Sequence, residues 1–271
     1  MQAWINGQPA TSIDVADRGL AYGDGLFETI KVSQGRAALL GRHLERLQEG
    51  CQRLMIPCEM QLLRRELDDY MQLIGNGVCK LIVTRGMGQR GYALPQQSVV
   101  QRILQASSFP QWPAAYAEQG IALFSCQLRL SQQPKLAGLK HLNRLEQVLA
   151  RAEWSDSTYA EGALLDEQER VVDGVFSNLF IVQNQRLLTP DLRRCGVAGV
   201  MRAELLARAQ AAGIEVQVKD IPRSEMLQAD EIFTANSLYG IWPVRNYAGR
   251  CWAVGKMTRR LQQMIKDLTG E

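Results

Sequence analysis

Residues 106–115, Ala-Ser-Ser-Phe-Pro-Gln-Trp-Pro-Ala-Ala, carry two prolines and no charge. Proline cannot continue a helix and is confined to the edges of sheets, so an uncharged stretch with two of them divides the chain. We read a smaller N-terminal α+β domain over 1–107, a linker over 108–115 and a larger C-terminal α/β domain over 116–271. Helical and strand periodicities occur on both sides of the break. Leu40, Leu44, Leu47, Cys51, Leu54 and Met55 share one face of a helix over 40–55, and a second helix covers 61–74. Strands are expected at 3–7, 26–32 and 78–84, the first ending in an Asn6-Gly7 turn. Beyond the linker, strands are expected at 121–126, 163–165, 179–182 and 214–218. Helices are expected after Lys140 (Leu142, Leu145, Leu149, Ala152) and over 200–212, where Gly213 is the stop. Mixed elements in both halves argue for an α+β or α/β architecture.

Composition narrows the function. The 271 residues are 46% hydrophobic and 22% charged, which is enough for a packed core without disulfide staples. A net charge of +3 advertises neither nucleic acid nor membrane as a partner. The six cysteines form no C-x-x-C pair and there are two histidines, so no metal site is expected. No apolar run approaches the ~18 residues of a membrane span. The start, Met1-Gln2-Ala3-Trp4-Ile5-Asn6-Gly7, lacks the basic and apolar regions of a signal peptide. A cytoplasmic protein is the expectation.

Several segments could carry chemistry. Gly86-x-Gly88-x-x-Gly91 matches a dinucleotide fingerprint as a string, but Tyr92-Ala93-Leu94-Pro95 follows where a helix should open. Arg85 and Arg90 in that loop face either solvent or an anion. Lys140 lies in the apolar Leu136-Ala137-Gly138-Leu139-Lys140-His141-Leu142. It is either a surface lysine with a buried stem or a desolvated amine able to form a Schiff base. Gly196-x-x-Gly199 leads into a helix whose first N–H groups can bind phosphate. Asp173-Gly174 reads as a turn, or as an acid beside a cofactor's pyridine nitrogen. Arg46 falls off the apolar stripe of its helix, as either a solvated residue or a phosphate clamp.

Taken in order, these segments resemble one family. Tyr22-Gly23-Asp24-Gly25-x-Phe27-Glu28, His43-x-x-Arg46-Leu47, Lys140 with Asn143, Asp173-Gly174-x-x-x-Asn178-Leu179-Phe180 and Gly196-x-x-Gly199-Val200-x-Arg202 together resemble the fold-type IV pyridoxal-phosphate enzymes. That family comprises branched-chain aminotransferases, D-amino acid aminotransferases and aminodeoxychorismate lyases. The resemblance spans nearly the whole chain. Lys140-His141-Leu142-Asn143-Arg144-Leu145-Glu146-Gln147 and the loop Arg85-Gly86-x-Gly88-x-Arg90-Gly91-Tyr92 most resemble the lyase branch.

The resemblance implies the two-domain, D-amino acid aminotransferase-like fold, with pyridoxal 5'-phosphate between the domains. It implies Lys140 as the Schiff-base lysine and Arg46, Ser237 and the backbone N–H groups of Val200 and Met201 as phosphate ligands. Asp173 would be the acid at the pyridine nitrogen, where relatives usually carry the longer Glu. Arg90, Tyr92 and Asn236 would face the substrate. Thr29, with Tyr92, would relay protons beside Lys140, and Arg144 stands near where some aminotransferases use Tyr. The implied activity is that of the lyase branch, on the small molecule 4-amino-4-deoxychorismate in folate biosynthesis. The alternative is a D-amino acid or branched-chain aminotransferase. The implied assembly is a homodimer.

Overall fold

The computed structural model describes residues 3–88 and 90–269, in two compact units. One is built from the chain up to Pro110 together with Leu139–Asn143, the other from Gln111–Gly138 and Arg144 onward. Among the described residues, no helix is long and apolar enough to cross a membrane.

The first unit contains β1 (Trp4–Ile5), β2 (Gln8–Pro9), α1 (Arg18–Tyr22), β3 (Gly25–Val32), α2 (Leu40–Arg53), α3 (Met60–Ile74), β4 (Gly77–Thr84) and β5 (Gln101–Ser107). Its sheet runs β2-β1-β5-β4-β3 and is antiparallel throughout. Along β3 the burial alternates as a pleated strand requires: Leu26, Glu28, Ile30 and Val32 are buried, Phe27, Thr29 and Lys31 half-buried. Leu40, Leu47 and Cys51 of α2 and Leu63, Leu67, Tyr70 and Met71 of α3 join the apolar members of that buried set in one core. The helical spacing of both sets is what brings them to one face. Helix α2 ends two residues before the expected Met55. Met55 adopts φ 55° and is 67% exposed, so the left-handed backbone, not the apolar spacing, decides the boundary.

The segment 139–143 belongs to this unit, although its position in the sequence lies well past the linker. The Phe27 N–H donates to the Lys140 carbonyl at 2.9 Å, and the Leu142 N–H to the Gly25 carbonyl at 3.0 Å. Leu139, 2% exposed, joins the core.

The second unit contains α4 (Ala115–Glu118), β6 (Ile121–Leu130), α5 (Leu145–Arg151), β7 (Tyr159–Asp166), β8 (Arg170–Gly174), β9 (Asn178–Gln183), β10 (Arg186–Pro190), α6 (Val200–Ala211), β11 (Val216–Lys219), β12 (Ile221–Pro222), α7 (Arg223–Leu227), β13 (Glu231–Asn236), β14 (Gly240–Tyr247), β15 (Arg250–Cys251), α8 (Lys256–Met264) and α9 (Lys266–Thr269). Its mixed sheet follows β11-β10-β9-β13-β14-β6-β7-β8-β12, with β15 on β14. The pairs β10–β11, β14–β6 and β6–β7 are parallel. Near-continuous apolar runs such as Leu179-Phe180-Ile181-Val182 are buried on both faces. On α5 the apolar spacing does not mark the core face: Leu145, Val148 and Leu149 are 75%, 59% and 60% exposed, and Ala150 is the buried residue.

Candidate active site

The sequence-derived candidates fall into one group in each unit. In the first, β3 presents different chemistry on its two faces. On the core face Glu28, 1% exposed, accepts from Arg46 Nε at Oε1, at 2.8 Å, and from both His43 Nδ1, at 2.6 Å, and Arg46 Nη2 at Oε2. His43 and Arg46 are three residues apart on α2, so one helix face delivers both. Burial by itself would raise the Glu28 carboxyl, but Arg46 and His43 outweigh it and hold it down at about 2. Arg46 is therefore oriented by a two-pronged ion pair and is not a solvated helix residue.

On the opposite face lie Phe27 and Thr29. Lys140 Nζ sits 4.3 Å from the centroid of the Phe27 ring. The backbone bonds that tie 140–142 to the start of β3 fix the lysine's Cα, and Phe27 receives its tip.

The glycine-rich loop is anchored by a separate cluster. Asp24 accepts from Arg18 Nε at 2.9 Å and from Arg85 Nε and Nη2 at 2.7 and 3.0 Å. Arg85 also donates to the Leu54 and Met55 carbonyls, both at 2.7 Å, and is 3% exposed. Arg85 thus holds the fold and does not face an anion in solvent. Arg18 reaches the Gly91 carbonyl at 3.0 Å and the Tyr22 hydroxyl accepts from the Gly91 N–H at 3.2 Å. Arg90 and Tyr92 ride on this anchored loop in the open: Arg90 is exposed, and Tyr92 is 85% exposed beside Tyr22.

In the second unit, Asp173 is the penultimate residue of β8 and is buried. Its Oδ1 accepts from Asn178 Nδ2 at 2.6 Å and its Oδ2 from the Val197 N–H at 2.7 Å. Burial pushes its carboxyl up to about 7, against the pull of those donors and of the Arg202 and Arg144 charges. Three residues after Val197, α6 begins at Val200. Its N-cap is Gly199, which has no side chain to cap the first N–H groups, those of Val200 and Met201 included. Strand β13 pairs with β9 so that Ala235 lies opposite Asn178, which brings Asn236 and Ser237 to the same end of the sheet as Asp173. Asn236 closes a turn there: its Oδ1 accepts from the N–H groups of Leu238 and Tyr239 at 2.9 and 3.0 Å, and its Nδ2 donates to the Phe176 carbonyl at 3.4 Å.

Glu161 on β7 carried no motif and emerges only in the structure. It is fully buried and accepts from the N–H groups of Gly162 and Val175, both at 2.9 Å, from the Phe176 N–H at 3.4 Å and from Ser177 Oγ at 2.6 Å. It thereby fastens the turn between Asp173 and Asn178. Burial pushes its carboxyl up to about 7. Glu28 did leave a signal: a carboxylate at a core-facing position of an alternating strand demands cationic partners.

These residues suit a phosphorylated cofactor with an aldehyde and a ring nitrogen. A lysine with an apolar contact suits the aldehyde, a buried carboxylate suits a ring N–H, and an uncapped helix start suits the phosphate.

Residues 25–247 match the model of the amino-transferase class IV family, and the chain belongs to that family. Within it, the chain is similar to the crystal structure of 4-amino-4-deoxychorismate lyase from Pseudomonas aeruginosa, at 56% identity and a TM-score of 0.97 over 98% of each chain. It is 37% identical to the aminodeoxychorismate lyase of Vibrio harveyi over 96% of this chain and 97% of the relative. A putative branched-chain-amino-acid aminotransferase of Methanocaldococcus jannaschii is 29% identical over 99% and 96%.

Proposed function

We propose that this enzyme is a lyase that splits 4-amino-4-deoxychorismate into 4-aminobenzoate and pyruvate with pyridoxal 5'-phosphate as cofactor. The observation that carries the reading is Lys140, tied by backbone to β3 with its Nζ over Phe27, the face that also bears Thr29. The full-length likeness to two lyases supports it.

The cofactor, when bound, supplies an aldehyde for an amine and a ring that takes up the electron pair left by a departing proton. Arg46, Ser237 and the Val200 and Met201 N–H groups would hold its phosphate. A guanidinium carries five N–H groups, and the Glu28 pair turns the Arg46 fork one way. The Asp173 carboxylate would accept the ring N–H, since each carboxylate oxygen can accept more than the one bond it already has.

Lys140 has two duties. Its Nζ would hold the cofactor at rest and, once the substrate amine has taken its place and left it as a free amine, would take the proton from the substrate carbon that bears the amine. The bond from the ring to the enolpyruvyl oxygen then breaks, the ring becomes aromatic, and the departing enol takes a proton at its methylene carbon. Lys140 returns that proton directly or through Thr29 or Tyr92. Arg90 and Asn236 would receive the substrate, Arg90 at a carboxylate. Exposed Tyr92 and Arg90 need a cover to work, and a second copy of the chain in a homodimer would supply it.

The test is to follow 4-aminobenzoate and pyruvate together from 4-amino-4-deoxychorismate. Equal release, lost in Lys140→Ala, supports the lyase. No release, with D-alanine or a branched-chain amino acid converting the cofactor to its amine form, makes the chain an aminotransferase.

A further inference from the structure

Asn178 stands in the Asp173-Gly174-x-x-x-Asn178 motif, yet the reaction as derived gives it no part. We propose that Asn178 is a positioning residue that locks the Asp173 carboxylate to the loop entering α6, and so aims that acid at the cofactor's ring nitrogen. The inference rests on the reading that Asp173 faces that nitrogen.

Three hydrogen bonds close a ring among three residues. Asn178 Nδ2 donates to Asp173 Oδ1 at 2.6 Å and to the Val197 carbonyl at 2.8 Å, while the Val197 N–H donates to Asp173 Oδ2 at 2.7 Å. Strand β8, strand β9 and the loop before α6 each contribute one member. A primary amide suits the central position, because its nitrogen carries two N–H groups for two acceptors. The loop is drawn in tightly around the ring. A Cβ on Gly199 would stand 1.9 Å from Asn178 Oδ1, and one on Gly196, at φ +88°, would stand 2.8 Å from Asp173 Oδ2. Asp173 and Asn178 are each 5% exposed, so water does not substitute freely for a lost donor.

The ring also answers the shortness of Asp. A carboxyl one methylene nearer its own strand than a Glu has less reach, so its direction has to be fixed from outside. Both oxygens are held, one by Asn178 and one by Val197, and both donors favour the ionised carboxylate. The other charged or titratable groups that act on or respond to Asp173 are Arg202 on α6, Arg144 ahead of α5 and the Cys195 thiol in the loop before α6. All three remain when Asn178 is replaced.

The experiment measures the rate at which cofactor leaves the holoenzyme. It is run with pyridoxal phosphate and with its deaza analogue, in which carbon replaces the ring nitrogen. Asn178→Leu keeps the branching and the number of heavy atoms and removes both donors; Asn178→Ser, smaller than the native side chain, leaves one donor and serves if the leucine variant does not fold. Asp173→Asn is the reference. The expected result is pyridoxal phosphate lost about tenfold faster or more from Asn178→Leu, less so from Asn178→Ser, with loss of the deaza analogue unchanged. The defect should shrink as pH rises above 7, because removing a donor raises the Asp173 carboxyl further and alkali restores its charge. Equal effects on both cofactors, or none on either, in the Asn178 variants overturn the proposal if Asp173→Asn still discriminates between them. If Asp173→Asn does not discriminate, the placement of Asp173 at the ring nitrogen fails as well.

Discussion

Arg46 and Glu28 form a two-pronged ion pair inside the core of the first unit, with His43 as a third member on the same carboxylate. The pair joins α2 to β3 from within and fixes the guanidinium from which a phosphate would be held. Glu28→Gln leaves Arg46 without its counter-charge in a buried place, a loss of about 3–5 kcal/mol. Thermal unfolding at pH 7 reads the loss. The sign with pH follows from the carboxyl's descent from 4.5 to about 2 on folding. Its contribution is full above pH 4.5 and disappears as pH falls through about 2, so acid should destabilise the native protein more steeply than Glu28→Gln.

Lys140→Ala should leave no cofactor covalently attached, seen by intact mass after borohydride reduction. Release of 4-aminobenzoate should fall by at least ~10²–10⁴-fold, the range of a lost general acid–base group. A fully active Lys140→Ala variant would end the lyase account.

Glu161 pulls stability the other way from Glu28. Its carboxyl rises from 4.5 to about 7 on folding, because burial outweighs four donors. The folded protein therefore binds the proton more tightly, and stability should fall as pH rises from about 4.5 to 7, by about 3 kcal/mol in all. Glu161→Gln removes the ionisable group. Melting temperatures between pH 5 and pH 8 should decline less in that variant than in the native protein.

Arg90→Ala and Tyr92→Phe change exposed side chains, so stability should stay within about 0.5 kcal/mol. If Arg90 meets a substrate carboxylate, KM should rise roughly tenfold with the melting temperature unmoved. An unchanged KM removes Arg90 from the substrate.

The charged residues of the candidate site are legible in the sequence because each sits in a short motif with glycine or a fixed helical offset. Asp173, Lys140 and the Gly196–Gly199 loop are of that kind. Their partners were harder to see. Glu161 lies in Ala160-Glu161-Gly162-Ala163, where nothing distinguishes a buried carboxylate from a surface one; only the turn it fastens, far along the chain, shows its burial. Arg85 read as facing solvent or an anion, because the carbonyls of Leu54 and Met55 that occupy it are about thirty residues away. The helix patterns of α2 and α3 held, since two turns of matched apolar spacing outweigh local choices. On α5, with seven residues, the same spacing pointed away from the buried Ala150.

The short segment 139–143 also puts a clock on the chain. The first unit keeps Leu139 in its core and Lys140 on its strand, yet both are made about thirty residues after Pro110. At synthesis rates of ~5–20 residues per second, roughly two to six seconds separate them. For that interval every strand and helix of the first unit has been synthesised, but not the residues that complete its core. It becomes whole, and receives its lysine, only after the opening strand of the next unit has been made.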